Sequence, residues 1–347
     1  MTKNKRKKDK RKKQRSVGSI LRDRPIYRIL RPFKILLDDF ITFVREDYHP
    51  ATYGYTIIVV ALSILLVYGT DFGKSISNNA FPTSNNIIND MLRFVVLYFI
   101  IAIPITVMRG EFRSIARPAF FIKGLLFMCL IGFADAFSLS DVLNLKDFSR
   151  LEQSYIFSAA WWLRNTVFIL PILILLRLTV DRDVKGLYGV CSGKHHIKAY
   201  MYLYILILPI LIAVSFTPDF LSYYPMYNAW HFEGAFNRPV WLNTLIFESI
   251  YIFSFIMIEM IFRGALVIGM ASILGRRAVL PMIVVYVALH FGKPVLETMS
   301  AFFGGYFLGA LAFQTRHIWG GIIIHMGIAL IIELLRFFQY YALNIRP

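Results

Sequence analysis

Runs of about twenty consecutive apolar residues restrict this chain more than any other feature, because each is long enough to cross the hydrocarbon of a bilayer. Tyr55–Tyr68 reads YTIIVVALSILLVY and Leu97–Met108 reads LYFIIAIPITVM, without a single charge in either. Spans are expected at about 52–71, 88–108, 118–138, 155–177, 198–216 and 240–262 from the ~20-residue requirement. Residues 264–341 stay apolar but break at Gly275-Arg276-Arg277, at FGKP (291–294) and at QTRH (314–317), which reads as one short helix and two or three further spans. Inside lipid only helices and closed barrels satisfy the backbone. Barrel strands would alternate in polarity every second residue, and these runs do not. Only 17% of the residues are charged and the mean hydropathy is +0.58, against about a quarter charged in a soluble domain. The expected fold is an all-α polytopic transmembrane helix bundle of about eight spans.

The formal charge of +17 is concentrated: 15 of the 38 Lys and Arg fall within the first 34 positions. Residues 1–25 read as a basic, disordered cytoplasmic tail whose partner is the anionic lipid surface and not nucleic acid. No apolar segment with a small-residue cleavage site follows, so the tail is not a signal peptide. Ile29, Phe33, Leu36, Leu37, Phe40, Phe43 and Val44 then recur at helical spacing with charges between them, which marks 26–48 as an interfacial amphipathic helix. Residues 50–239 form the N-terminal transmembrane helices and 240–341 a C-terminal transmembrane core. Basic loops at 109–117, 177–198, 275–277 and 314–316 alternate with loops poor in Lys and Arg. The positive-inside rule places the first set and the N-terminus in the cytoplasm of a multi-pass protein of the cell (inner) membrane. Arg263 is then expected at the cytoplasmic end of its helix. Cys129 and Cys191 form no disulfide or metal pattern.

Few polar residues interrupt the last third: Glu248, Glu259, Arg263, His290, Lys293, Glu297, His325 and Glu333. Charge at membrane depth is costly and marks either a function or a closely satisfied structural pair. Glu259 and Arg263 stand four apart on one helix face. A rise of 1.5 Å per residue puts Glu259 about 6 Å deeper than Arg263, His325 about 12 Å in from His317, and His290 roughly 20 Å in from Arg277. Three helices thus carry a carboxylate and two imidazoles into the bilayer from one side. A carboxylate and an imidazole polarise a water, and a second imidazole stabilises an oxyanion.

EMIFRG (259–264), YVALH (286–290) and GGIIIHMGIA (320–329) resemble the three motifs of the CPBP family, the type II CAAX endopeptidases and bacteriocin-processing proteins. That pattern is E-E-x-x-x-R, F-x-x-x-H and H-x-x-x-N on three successive helices. The resemblance implies an intramembrane endopeptidase acting on a membrane-associated peptide or protein. It matches Glu259, Arg263, His290 and His325 to family positions, with Tyr286 in place of phenylalanine. Ile258 stands where the family has its first glutamate, and Ala329 where it has the asparagine of the last motif.

HFGKPVLE (290–297) resembles a CPBP subgroup with a single-glutamate first motif and a G-K-P-x-x-E extension. Gly292 and Pro294 would break the helix after His290 and turn Glu297 back towards it. The expected site is therefore Glu259, Arg263, His290, Glu297 and His325. Glu297 and His290 would activate water, His325 would hold the oxyanion, and Glu259–Arg263 would orient the site or bind a substrate carboxylate. The alternative is a catalytically inactive CPBP-like scaffold or immunity protein, which Ile258 and Ala329 favour. No cofactor is implied with certainty. A divalent metal, zinc in particular, stays open, since two histidines and two glutamates in one cavity are zinc-ligand types, although no H-E-x-x-H is present. Glu333 is expected to be structural, the His195-His196 pair in its basic loop to carry no metal, and Arg164 is a membrane charge without an evident partner.

Overall fold

The structure is a computed structural model that describes residues 25–71, 87–191 and 197–346. The basic tail up to residue 24 and the His195-His196 pair lie outside the described residues. Ten main helices follow in order: α1 (Pro25–Asp47), α2 (Pro50–Gly69), α3 (Ile87–Met108), α4 (Pro118–Ala136), α5 (Arg150–Thr179), α6 (Ile197–Val214), α7 (Val240–Glu259), α8 (Val279–Ala288), α9 (Val295–Thr315) and α10 (Trp319–Tyr341). Among the described residues eight helical stretches are long and apolar enough to cross a membrane, one of them the continuous run Val240–Ala288. The chain is an all-α polytopic membrane protein.

Local chemistry sets the helix starts. Pro50 and Pro118 occupy the first turns of α2 and α4, where the missing N–H would have had no partner anyway. Ser149 and Glu152 form a reciprocal capping box at the head of α5.

The 49 residues of Val240–Ala288 would extend about 74 Å if straight, more than twice the ~30 Å of hydrocarbon. They instead form two limbs that reverse at Gly275, whose φ is +59°, a backbone conformation open to glycine. The first limb does not end near Arg263 as the sequence suggested. It runs on as a π-helix from Met260 to Gly269. Glycines allow this: a Cβ on Gly264 would lie 2.6 Å from the Tyr188 carbonyl, and one on Gly269 would lie 2.9 Å from the Tyr188 ring. The loop carrying Tyr188 packs directly against the π limb.

All ten residues of α8 are buried, as expected for a helix apolar on every side. Phe262, Leu266, Met282 and Ile283 join Phe94, Ile101 and Ile131 of α3 and α4 in one core. Helix α1 buries Leu36 and Phe43; Leu36 belongs to a cluster with residues of α6, α9 and α10, while Phe43 stacks edge-on against Tyr306 and Phe313 of α9.

The basic loops gather at one end of the bundle. Arg109 pairs with Asp47 at 3.0 Å, Arg277 with Glu111, and Arg276 with Glu46. Arg117 donates to the Ser272 carbonyl at 3.2 Å, and the Trp319 indole to the Cys191 carbonyl at 2.8 Å.

Close helix approach at the head of α10 uses Gly320. A Cβ there would fall 2.1 Å from the Tyr200 ring of α6. The Gly320→Ala protein is expected to lose about 1–3 kcal/mol through overpacking, read as easier SDS-driven unfolding in detergent micelles. Unchanged unfolding would show that the two helices separate freely.

Candidate functional site

Glu259 and Arg263 sit at the junction of α7 with the π limb, 0% and 1% exposed. Arg263 Nη1 donates to Glu259 Oε1 at 2.9 Å. The guanidinium also lies 4.2 Å over the Tyr286 ring of α8, a cation–π contact that gains strength when desolvated. His325 of α10 brings its Nδ1 to 3.0 Å from the same Glu259 Oε1. An ionised carboxylate only accepts, so Nδ1 carries the proton and Nε2 is the free nitrogen. Glu259 thus holds an arginine and a histidine at once. Its Oε2 has no partner and abuts Gly321, where an added Cβ would lie 2.0 Å away.

His290 follows the last turn of α8. Its Nδ1 is 2.8 Å from the Tyr286 carbonyl. A carbonyl accepts only, so Nδ1–H donates and Nε2 again keeps its lone pair. Tyr286 packs its ring 4.7 Å from His290 and 6.2 Å from His325. The tyrosine at the family's phenylalanine position is therefore the hub between arginine and both imidazoles.

The break after His290 forms as expected, with Gly292 at φ +90° and Pro294 preceding α9. Its freed carbonyls find partners, as irregular backbone within a bundle requires. The Thr298 hydroxyl donates to His290 O at 2.8 Å, and the Tyr68 hydroxyl to Lys293 O at 2.7 Å. Glu297 does turn back towards the site, but its oxygens are taken by Lys293 Nζ and the Tyr224 hydroxyl, each at 2.7 Å, and not by His290. The lysine is the group that the Glu297 carboxylate positions.

A cavity of about 660 Å³ opens between this core and the N-terminal helices. His290, Lys293 and His325 line it, with Ile258 in the wall at the position of the family's first glutamate. Phe255, 4.4 Å from the His325 ring, adds apolar surface. Glu259 and Glu297 stand behind these residues. Ala329 is buried among aromatic side chains of a separate cluster.

Zinc would need at least three protein ligands at such a site. Among the described residues no three of His, Cys, Asp and Glu converge in that way. No step is therefore assigned to a metal.

Two partners were not evident from the sequence. Tyr224 lies in the loop before α7, and only its hydroxyl near a buried acid reveals its role. Asp135, a charge inside the apolar stretch GFADAF, pairs with Arg164 at 3.3 Å and Arg93 at 3.0 Å. Glu333 is structural as expected: it is fully buried and accepts from the Met226 N–H at 2.9 Å.

No curated protein and no solved structure matches this chain. One family model does, over residues 239–331: the Rce1-like type II CAAX prenyl endopeptidases. The match takes in α7, the π limb, α8, α9 and most of α10, the segments that bring Glu259, Arg263, His290 and His325 together. Residues 239–331 of this membrane protein thus match the Rce1-like family model, in agreement with the CPBP-like motifs that lie within them.

Proposed function

We propose that the protein is an intramembrane endopeptidase that cleaves a membrane-associated peptide or protein within this cavity. One observation carries the reading: Glu259 fixes His325, and Tyr286 fixes His290, so that two imidazoles with free Nε2 atoms line the same cavity. His290 Nε2 takes a proton from water as its oxygen attacks the scissile carbonyl carbon. The oxyanion is met by the Lys293 ammonium that Glu297 holds in place, while His325 Nε2 accepts a hydrogen bond from the other O–H of that water and so orients it. As the C–N bond breaks, His290 returns the proton to the leaving amine. Glu259 and Glu297 act through the groups they hold and Arg263 through Glu259. This assigns water activation to His290 alone, which removes the need for a carboxylate at Ile258.

We further propose that the N-terminus faces the cytoplasm at the cell membrane, a reading supported by the clustering of the basic loops at the end that carries α1. There the tail meets anionic headgroups, at about 1 kcal/mol for each basic residue near the surface.

A second reading, an inactive CPBP-like scaffold, is favoured by Ile258 and Ala329 standing where the family has catalytic side chains. Peptidomics of membranes from cells making wild-type or His290→Ala protein separates the two. Peptidase function yields new peptide termini that appear only with wild type. Identical peptide sets would favour the scaffold.

A further inference from the structure

The part of the cavity wall formed by α4 and α5 carries a second polar group that the peptidase reading does not use. Arg164, midway along α5, is 3% exposed. Its guanidinium lies 3.5 Å over the Trp161 ring. Nη2 reaches Asp135 Oδ1 at 3.3 Å, while Nε and Nη1 are buried with no hydrogen-bond partner. A buried guanidinium with unmade hydrogen bonds is costly, and a native fold tolerates it where a ligand supplies the acceptor. Asp135 in turn takes Arg93 Nη2 at 3.0 Å, and Arg93 also contacts Asp90 at 3.3 Å.

Charge gives the sign of that ligand. Arg93, Arg164, Lys293 and Asp135 line the cavity, whereas the balancing carboxylates of Asp90 and Glu297 lie outside its wall. The lining therefore presents three cations and one anion. Trp161, Trp162, Phe157 and Phe247 make the rest of that side apolar. The volume falls within the ~300–1,000 Å³ of pockets that enclose a whole small ligand, and Arg164 and His290 line the same cavity. A ligand that offers a scissile amide to His290 and an anion to Arg164 is a peptide with a carboxylate close to the bond to be cut.

We infer that Arg164, braced by Asp135 and stacked on Trp161, is a substrate-positioning residue that binds a carboxylate of the peptide. The carboxylate comes from the peptide's free C-terminus or from an acidic side chain. A guanidinium whose Nε and Nη1 are both unpartnered can donate to either. The inference rests on the peptidase reading for its substrate but not for its binding chemistry.

Binding tests it without turnover. Full-length protein in zwitterionic phospholipid nanodiscs is titrated with N-decanoyl-Leu-Phe-Ala as free acid and as C-terminal amide, with N-decanoyl-Leu-Phe-Asp amide, and with dodecyl phosphate. One carboxylate-bearing peptide is expected to bind about 10- to 100-fold more tightly than the neutral amide, the worth of a charged hydrogen bond; which of the two does so identifies the source. Arg164→Gln is expected to erase that ratio and Arg164→Lys to retain part of it, a pattern that loss of folding cannot produce because both peptides meet the same protein. Should Arg164→Gln fail to fold, the Arg164→Lys ratio decides. His290→Ala is expected to keep the full ratio, so a failed peptidase reading stays distinguishable from a failed carboxylate site. Equal binding of acid and amide peptides, no binding of either acid, a ratio unchanged by both Arg164 variants, or Arg164-dependent binding of dodecyl phosphate as tight as that of the acids would overturn the inference.

Discussion

Glu259→Gln is expected to destabilise the protein by about 3–5 kcal/mol, the cost of leaving one member of a buried ion pair uncompensated. The carboxylate is 0% exposed and serves two partners, Arg263 at 2.9 Å and His325 at 3.0 Å. Glutamine keeps the shape but removes the charge that offsets the buried guanidinium. The double variant Glu259→Gln/Arg263→Met is expected to recover much of the loss, because no unpaired charge remains. SDS-driven unfolding of the two single variants and the double variant in mixed micelles reads the coupling directly. Additive losses would mean that the two side chains do not interact in the folded protein. Activity should stay absent in the rescued double variant, since His325 has lost the carboxylate that orients it.

Gly321→Ala is the second large effect. The new methyl carbon would stand 2.0 Å from Glu259 Oε2, far inside any van der Waals contact, and the carboxylate it meets is fully buried. The carboxylate must swing away from His325 or α10 must retreat from α7. Either movement breaks the Glu259–His325 contact, and a shift of about 1 Å at a catalytic group costs on the order of 100-fold in rate. Peptide cleavage is expected to fall by at least that factor, while Gly304→Ala, at a glycine with open space around it, leaves cleavage unchanged. Wild-type rates in Gly321→Ala would show that the Glu259–His325 contact does not matter for turnover.

Glycine, proline and charge interruptions made the C-terminal core readable before its structure. Gly275, FGKP and QTRH each mark a real reversal, because a helix passing through lipid cannot absorb such residues unnoticed. The extent of the first limb was not readable. Arg263 looks like a helix terminus, yet the chain runs on to Gly269 because the Tyr188 loop fills the space above Gly264 and Gly269. A contact between residues so distant in sequence leaves no local trace. The same holds for Glu297: the helix break showed that it would turn inward, but only the fold could show Lys293 and Tyr224 waiting for it. Arg164 and Asp135 sit on separate helices 29 positions apart. Each reads as an isolated membrane charge until α4 and α5 are packed side by side.

Hydrolysis by a water activated at His290 is tested most directly with oxygen-18 water. Purified wild-type protein is incubated in it with a solubilised membrane peptide fraction, and new C-termini are read by mass spectrometry. Each new C-terminus is expected to carry an oxygen-18 atom in its carboxyl group, and none should form above background with His290→Ala. Equal formation of labelled termini by both proteins, or no new termini with wild type, would contradict an intramembrane peptidase built on Glu259, His290 and His325.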